Sequence, residues 1–428
     1  MPVAKLSIAF FLQMFVILAT CRLVGWLGQR FLKQPQVVGE MIAGVVLGPS
    51  LLGLLAPDLQ ALIFPAATKG VLYVGAQLGV GLYMFLVGLG FRGDHFKANL
   101  HKAAAVSVSG MVAPFLIAII GTPWLMTVPG LFAPTASRFD ATLFMGASIA
   151  ITAFPMLARI IHERGLSQTS LGTLSLSAGA IDDAAAWCVL AVVLASFGAA
   201  GKGIAITAIG GGIAFAGVMI LVMPHLLKPL GRWAEREAVQ GKPLGHGLLA
   251  ITLMLFMIAA FTADGIGLHA VFGGFLLGTV MPRGALTERV KTLLEPFTVV
   301  LLLPMFFTYS GLNTQLTMVN SPELLLVAVA VLAASSLAKF GACWAAARLS
   351  AQDNRTALGI GALMNSRGLM ELIIINIGLQ AGVIQPALFS MLVMMAIVTT
   401  LMASPVFEWV YGREARSTGE LQALESVR

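Results

Sequence analysis

SAGAIDDAAAWCVL, residues 177–190, sets two adjacent carboxylates, Asp182 and Asp183, in the middle of an otherwise apolar run of helix length. An aspartate at the centre of a membrane helix costs about 2.5 to 3.5 kcal/mol on insertion scales, so a neighbouring pair persists only where it faces protein or water. A buried salt bridge is one use for such a pair. The favoured reading is a site where protons and metal cations compete for the same oxygens. Successive helical residues point about 100° apart, so one carboxylate can meet a protein partner while the other faces a wet crevice.

The chain around this run has 428 residues, 58% of them hydrophobic and 11% charged, with a mean hydropathy of +0.92. Soluble domains carry about 25% charged residues, so the composition is that of an integral membrane protein. The net charge of +7 does not point to nucleic acid, because the basic residues are dispersed through the loops without interleaved aromatics. Cys21, Cys188 and Cys343 each lie in an apolar run and share no ligand spacing, so free thiols are expected. The sequence has no glycine-rich phosphate loop, His/Cys metal cluster or nucleophile elbow, and neither an enzyme nor a cofactor is expected.

Apolar windows long enough to cross a bilayer fall at about 6–28, 36–55, 70–91, 99–124, 140–161, 169–197, 203–227, 246–264, 267–282, 296–313, 323–348, 356–383 and 387–411. The first resembles a signal peptide, but its apolar run continues past Arg22 and reads as a spanning helix. The thirteen windows divide the 26 basic residues unequally: twenty fall on one face, and Lys5, Lys69, Arg138 and Lys202 on the other. Lys339 and Arg367 lie inside spans. By the positive-inside rule the amino terminus lies outside and the carboxyl terminus in the cytosol. The charged stretch 413–428 reads as a short cytosolic tail.

The second and ninth windows share AGVVLG (43–48) and GGFLLG (273–278). The third and tenth share Met84-Phe85 with Gly90 and Met305-Phe306 with Gly311. Both matches are seven windows apart, so the second copy enters the membrane inverted. The pattern predicts two inverted six-helix repeats, an architecture that places substrate near the bilayer midplane.

Four further positions belong with the aspartates. Lys339 lies about 5 Å past the centre of its window, too deep for its ammonium to reach the headgroups, and a Lys339–Asp182 pair is favoured. Pro155 in SIAITAFPMLARII lacks an amide hydrogen and leaves the carbonyl of Ile151 without a helical partner, so Thr152 and the carbonyls of Ile151 and Thr152 are expected to line the aspartate site. In GALMNSRGLMELIIINIG, Asn365, Arg367 and Glu371 stand where the inverted repeat places the counterpart of that broken helix. Arg367 and Glu371 are i,i+4 neighbours and either neutralise each other or take part in gating. Glu40, Glu295 and Glu408 lie near window ends and read as solvated or capping charges. Asp264 and His269 flank an external turn and read as loop residues.

QPQVVGEMIAGVVLGPSLLG (34–53), SIAITAFPMLARIIHERGL (148–166), AGAIDDAAAWCVLAVV (178–193), LPMFFTYSGLNTQL (303–316) and GALMNSRGLMELIIINIGLQ (361–380) together resemble the bacterial monovalent cation:proton antiporters of the second family. They are similar to sodium/hydrogen exchangers and to a Kef-type membrane domain, with no nucleotide-binding domain following. The resemblance implies an all-α homodimer among membrane lipids in a bacterial inner membrane, with about thirteen helices and the fifth and twelfth crossing as discontinuous helices. It implies exchange of H+ for Na+, or for K+ as in potassium efflux systems, by elevator-type alternating access. Transport helices would lie at about 70–197 and 296–411, and dimerisation helices at about 6–55 and 203–282. By the same resemblance Asp183 binds the cation and Asp182 pairs with Lys339. Asp182 departs from members with glutamine or asparagine there, and the cycle is expected to be electrogenic. A gated potassium channel is the alternative, but no glycine-rich carbonyl ladder of a filter is present.

Overall fold

In a bilayer every backbone polar group must be satisfied within the segment, which leaves helices or closed barrels. A computed structural model of the chain describes residues 3–412 except 33, 35, 91–92, 167–168, 197–201, 267–269, 315–318 and 320. The tail 413–428, His269, Lys33, Arg92 and the side chains of Cys188 and Pro155 lie outside what is described. All thirteen apolar windows carry helix. Among the described residues, nine helices are long and apolar enough to cross a membrane by length and composition, and the chain is an all-helical, multi-pass membrane protein.

Ala270–Val280 is a shorter apolar helix. Ser170–Ser196 is 27 residues long and holds both aspartates near its middle. The windows at 140–161 and 356–383 are each split into two half-helices.

Two compact units are formed from interleaved segments. The first comprises Met1–Leu23, Ala43–Arg92 and Ala200–Asn313. Within it the shared glycine motifs seat against each other's third helix. A Cβ on Gly44 would lie 2.2 Å from the carbonyl oxygen of Phe307, and one on Gly311 would lie 2.0 Å from Gly44 backbone. In the inverted counterpart, a Cβ on Gly278 would lie 2.2 Å from the carbonyl oxygen of Phe85. The glycines therefore set backbone-to-backbone contact, the means by which membrane helices gain dispersion energy where lipid supplies no hydrophobic drive. These contacts hold residues 69–90 and 303–312 in this unit.

Gly311→Ala is expected to lower the unfolding temperature of the detergent-solubilised protein, because overpacking costs about 1 to 3 kcal/mol. Gly210→Ala is the control, since nothing lies within 4 Å of a Cβ there; it is expected to leave stability unchanged or raise it. Equal shifts for the two variants would contradict the seating described.

The second unit comprises Val24–Ile42, Gly93–Ala199 and Thr314–Arg428. Its long helices are α1 (Gly93–Leu125), α2 (Arg138–Ala150), α3 (Phe154–Glu163), α4 (Ser170–Ser196), α5 (Pro322–Leu349), α6 (Asn354–Met364), α7 (Leu369–Gln380) and α8 (Pro386–Val410). Each half of the unit is a long helix, a broken helix and a long helix in that order. Local chemistry sets the ends. Ser137 and Ser321 cap α2 and α5 by accepting the amides of Asp140 and Leu324 at 3.0 and 3.1 Å. Asp353 caps α6, accepting the amides of Arg355 and Thr356 at 3.0 Å. Partial burial pushes its carboxyl up, but the bonds from Thr356 and Arg355 outweigh it and hold the group below the usual range.

Candidate ion site

The two broken helices cross at their breaks. Between α2 and α3 the chain is unwound at residues 151–153, and between α6 and α7 at 365–368. The amide of Ala153 donates to the carbonyl of Ser366 at 3.2 Å, and the Thr152 hydroxyl donates to the carbonyl of Met364 at 3.0 Å. Each break therefore satisfies backbone that the other exposes, as interrupted helices in a membrane require.

A helix that stops in the interior leaves its last carbonyls bare and its carboxyl end partially negative. At the end of α2 two cations from the other half of the unit meet those carbonyls. Arg367 donates from Nη1 to Ser148 at 3.2 Å and from Nη2 to Ile149 at 2.7 Å. Lys339 donates from Nζ to Ala150. Arg367 also lies 3.7 Å from Glu371, and Thr400 ties its backbone, accepting its amide at 3.1 Å and donating to its carbonyl at 2.6 Å. Arg367, Lys339 and Glu371 are all about 1% exposed or less, so these charges have protein for their only solvent.

The two aspartates differ completely. Asp182 has donors on both oxygens: Oδ1 accepts from the Ser107 hydroxyl at 2.9 Å, and Oδ2 from Lys339 Nζ at 2.6 Å and the Thr152 amide at 3.2 Å. Asp183 is fully buried, and neither of its oxygens has a hydrogen-bond partner among the described residues. The oxygens of Glu371, which meet Arg367 as an ion pair alone, and Oδ1 of Asn365 likewise have no hydrogen-bond partner among the described residues.

The structure thus brings Asp182, Lys339, Thr152 and the helix break together, with Asp183 adjacent in sequence. Two sequence expectations change. Pro155 is the second residue of α3, a position where a missing amide costs no helical bond. The group that the break offers Asp182 is the Thr152 amide, while the carbonyl of Thr152 accepts from Phe154 at 3.0 Å. Half-helix amino ends present N–H groups to carboxylates, so a donor stands where a carbonyl oxygen was expected. Glu40 is also not solvated. Its helix starts at Gln36, so it lies more than a turn inside, and it is 1% exposed. Glu408 is partly exposed and pairs with Arg164, and Cys21 and Cys343 are buried and in no disulfide. Ser107 carried no signal in the sequence.

The pattern of the family described as sodium/hydrogen exchanger, transmembrane, matches residues 15–411. The chain belongs to that family. The sodium/hydrogen exchangers are transporters, and the relatives agree. The Na(+)/H(+) antiporter NhaS4 of Synechocystis is 38% identical over 93% of this chain and 96% of its own length. K(+)/H(+) antiporter 1 of Saccharomyces cerevisiae is 32% identical over 94% of this chain, which spans 46% of that protein. The sodium proton antiporter MjNhaP1 of Methanocaldococcus jannaschii shares the fold, with a TM-score of 0.65 and 16% identity over 95% of this chain and 97% of that one.

Proposed function

We propose that this exchanger trades protons for Na+, with K+ the second candidate, across a bacterial inner membrane. Asp183 is the group that carries them. Support comes from the contrast between the carboxylates: every oxygen of Asp182 is supplied, whereas the neighbouring Asp183 is buried with none. A carboxylate taken from water without donors needs a proton or a metal cation. One group then serves both substrates in turn, which is the chemical requirement of antiport. Asp182 and Lys339 form the charged partner of that group, and Arg367 and Glu371 hold the crossing, with Asn365 at its edge.

In this reading the second unit carries the site between two exposures in an elevator-type movement, within a homodimer embedded in lipid. The amino terminus lies outside and the carboxyl terminus in the cytosol. Protein in liposomes holding a pH-sensitive dye, given Na+, Li+ and K+ in turn, tests the reading. Proton movement on adding Na+ or K+ is expected, and none with any of the three would refute it. Shared occupancy adds a second expectation: the cation concentration for half-maximal exchange rises as pH falls. A constant value between about pH 6 and 8.5, a range in which a perturbed carboxylate titrates, would exclude competition.

A further inference from the structure

We infer that Arg164 is a positioning residue for the ion site: with one stripe of α8 it splints α3, so that both broken helices are held to the same rod. For its transport readout the inference rests on the antiport reading above. Thr400, Ser404 and Glu408 are successive i,i+4 positions of α8 and share one face over about 12 Å. At the crossing, Thr400 holds the amide and the carbonyl of Arg367. One and two turns further along, Arg164 donates from Nη2 to Ser404 and pairs through Nη1 with Glu408. Arg164 directly follows α3, whose other end adjoins the break where Thr152 donates to Asp182 and Ala153 to Ser366. The stripe on α8 thus grips one broken helix at its break and the other at its end.

Apolar packing alone does not supply this register. Leu157, Ile160 and Ile161 of α3 lie in a core with Leu171 of α4, Ile360 of α6 and Phe407 of α8, but hydrophobic contact is non-directional and does not fix how a short helix is turned in its groove. A guanidinium that engages two acceptors fixes direction as well as distance. Glu408 stands in the last turn of α8, where a negative charge opposes the helix dipole, so the acid serves its partner rather than its own helix. The ten residues of α3 form a rod about 15 Å long. A shift at Arg164 is therefore carried to the other end, where it moves the Thr152 and Ala153 amides away from Asp182 and Ser366.

The test compares wild type, Arg164→Gln, Glu408→Gln and the double reversal of Arg164→Glu with Glu408→Arg. Two properties are measured: amide hydrogen exchange over residues 151–163 in the purified protein, and the cation half-saturation and maximal rate of transport in liposomes. Each single variant is expected to speed amide exchange over 151–163 by about tenfold, the scale of one charge-assisted hydrogen bond, while α5 keeps its wild-type protection. Cation half-saturation is expected to rise by about the same factor, with a smaller change in maximal rate. The double reversal places opposite charges at the two positions again and is expected to recover most of both. Unchanged protection over 151–163, a loss shared equally by α5, or a double reversal no better than the single variants would overturn the inference. Lost protection with unchanged half-saturation would also overturn it, leaving the pair as a strut with no part in the site. Should Arg164→Gln yield no folded protein, Glu408→Gln decides the matter, since it keeps Arg164 and its bond to Ser404. Wild-type protein that transports nothing defeats the antiport reading alone, and amide exchange still decides whether Arg164 splints α3.

Discussion

Asp183→Asn is expected to lose exchange of every monovalent cation while the protein folds at least as stably as wild type. Asparagine keeps the shape of the side chain but can neither hold the transported proton nor offset the charge of a cation. Removing one member of a buried charge pair costs about 3 to 5 kcal/mol, or a weakening of cation binding by more than about a hundredfold. The folded protein loses nothing of that kind, since no described group donates to either oxygen of Asp183, and a neutral amide is cheaper to bury than a charged carboxylate. Liposome exchange and an unfolding curve on one preparation decide the matter. Exchange near the wild-type rate in Asp183→Asn would remove this residue from the site.

The second large effect concerns charge. With no cation bound, the three ionisable groups are arranged most cheaply when Asp183 holds a proton and Asp182 pairs with protonated Lys339. An arriving Na+ competes with the lysine for Asp182. In the proposed cycle one Na+ thereby displaces two protons, and net charge crosses the membrane. Each such charge feels about 2.3 kcal/mol per 100 mV. Exchange in liposomes clamped at different potentials is therefore expected to follow the clamp. Changing Asp182 and Lys339 together to neutral residues is expected to abolish the voltage dependence and spare some one-for-one exchange. Rates and end points indifferent to potential in the wild type would refute two-for-one exchange and leave the 2.6 Å pair as a structural strut.

Helix placement and the acidic pair are legible in the sequence because they rest on periodic apolar length and on the cost of charge in hydrocarbon. Lys339 is legible for the same reason, as a charge too deep to reach water. Local cues mislead where the outcome depends on neighbours from distant sequence. Pro155 marks the vicinity of the first break, yet the break precedes it, because Arg367 and Lys339 already stabilise the carbonyls at the end of α2. Ser107 is illegible: one serine in an apolar helix makes no pattern, and only folding brings it to a residue 75 positions away. Glu40 misleads because nearness to a window end does not show burial: the window and the helix both begin at residue 36, and only packing in the fold leaves Glu40 1% exposed.

The cations that end α2 come from residues 339 and 367, and this bears on how the chain is made. When a ribosome has completed α1 to α4, the carbonyls of Ser148, Ile149 and Ala150 have no ammonium or guanidinium to meet. The amide of Ala153 likewise has no partner until Ser366 is synthesised. The early half of the unit must therefore wait in the membrane, its interrupted helix incomplete, until translation has passed from Ser196 to Arg367. Its wiring is settled only when the later half inserts beside it. A chain cut anywhere after Asp183 and before Lys339 would keep both aspartates and lack both cations that meet the end of α2.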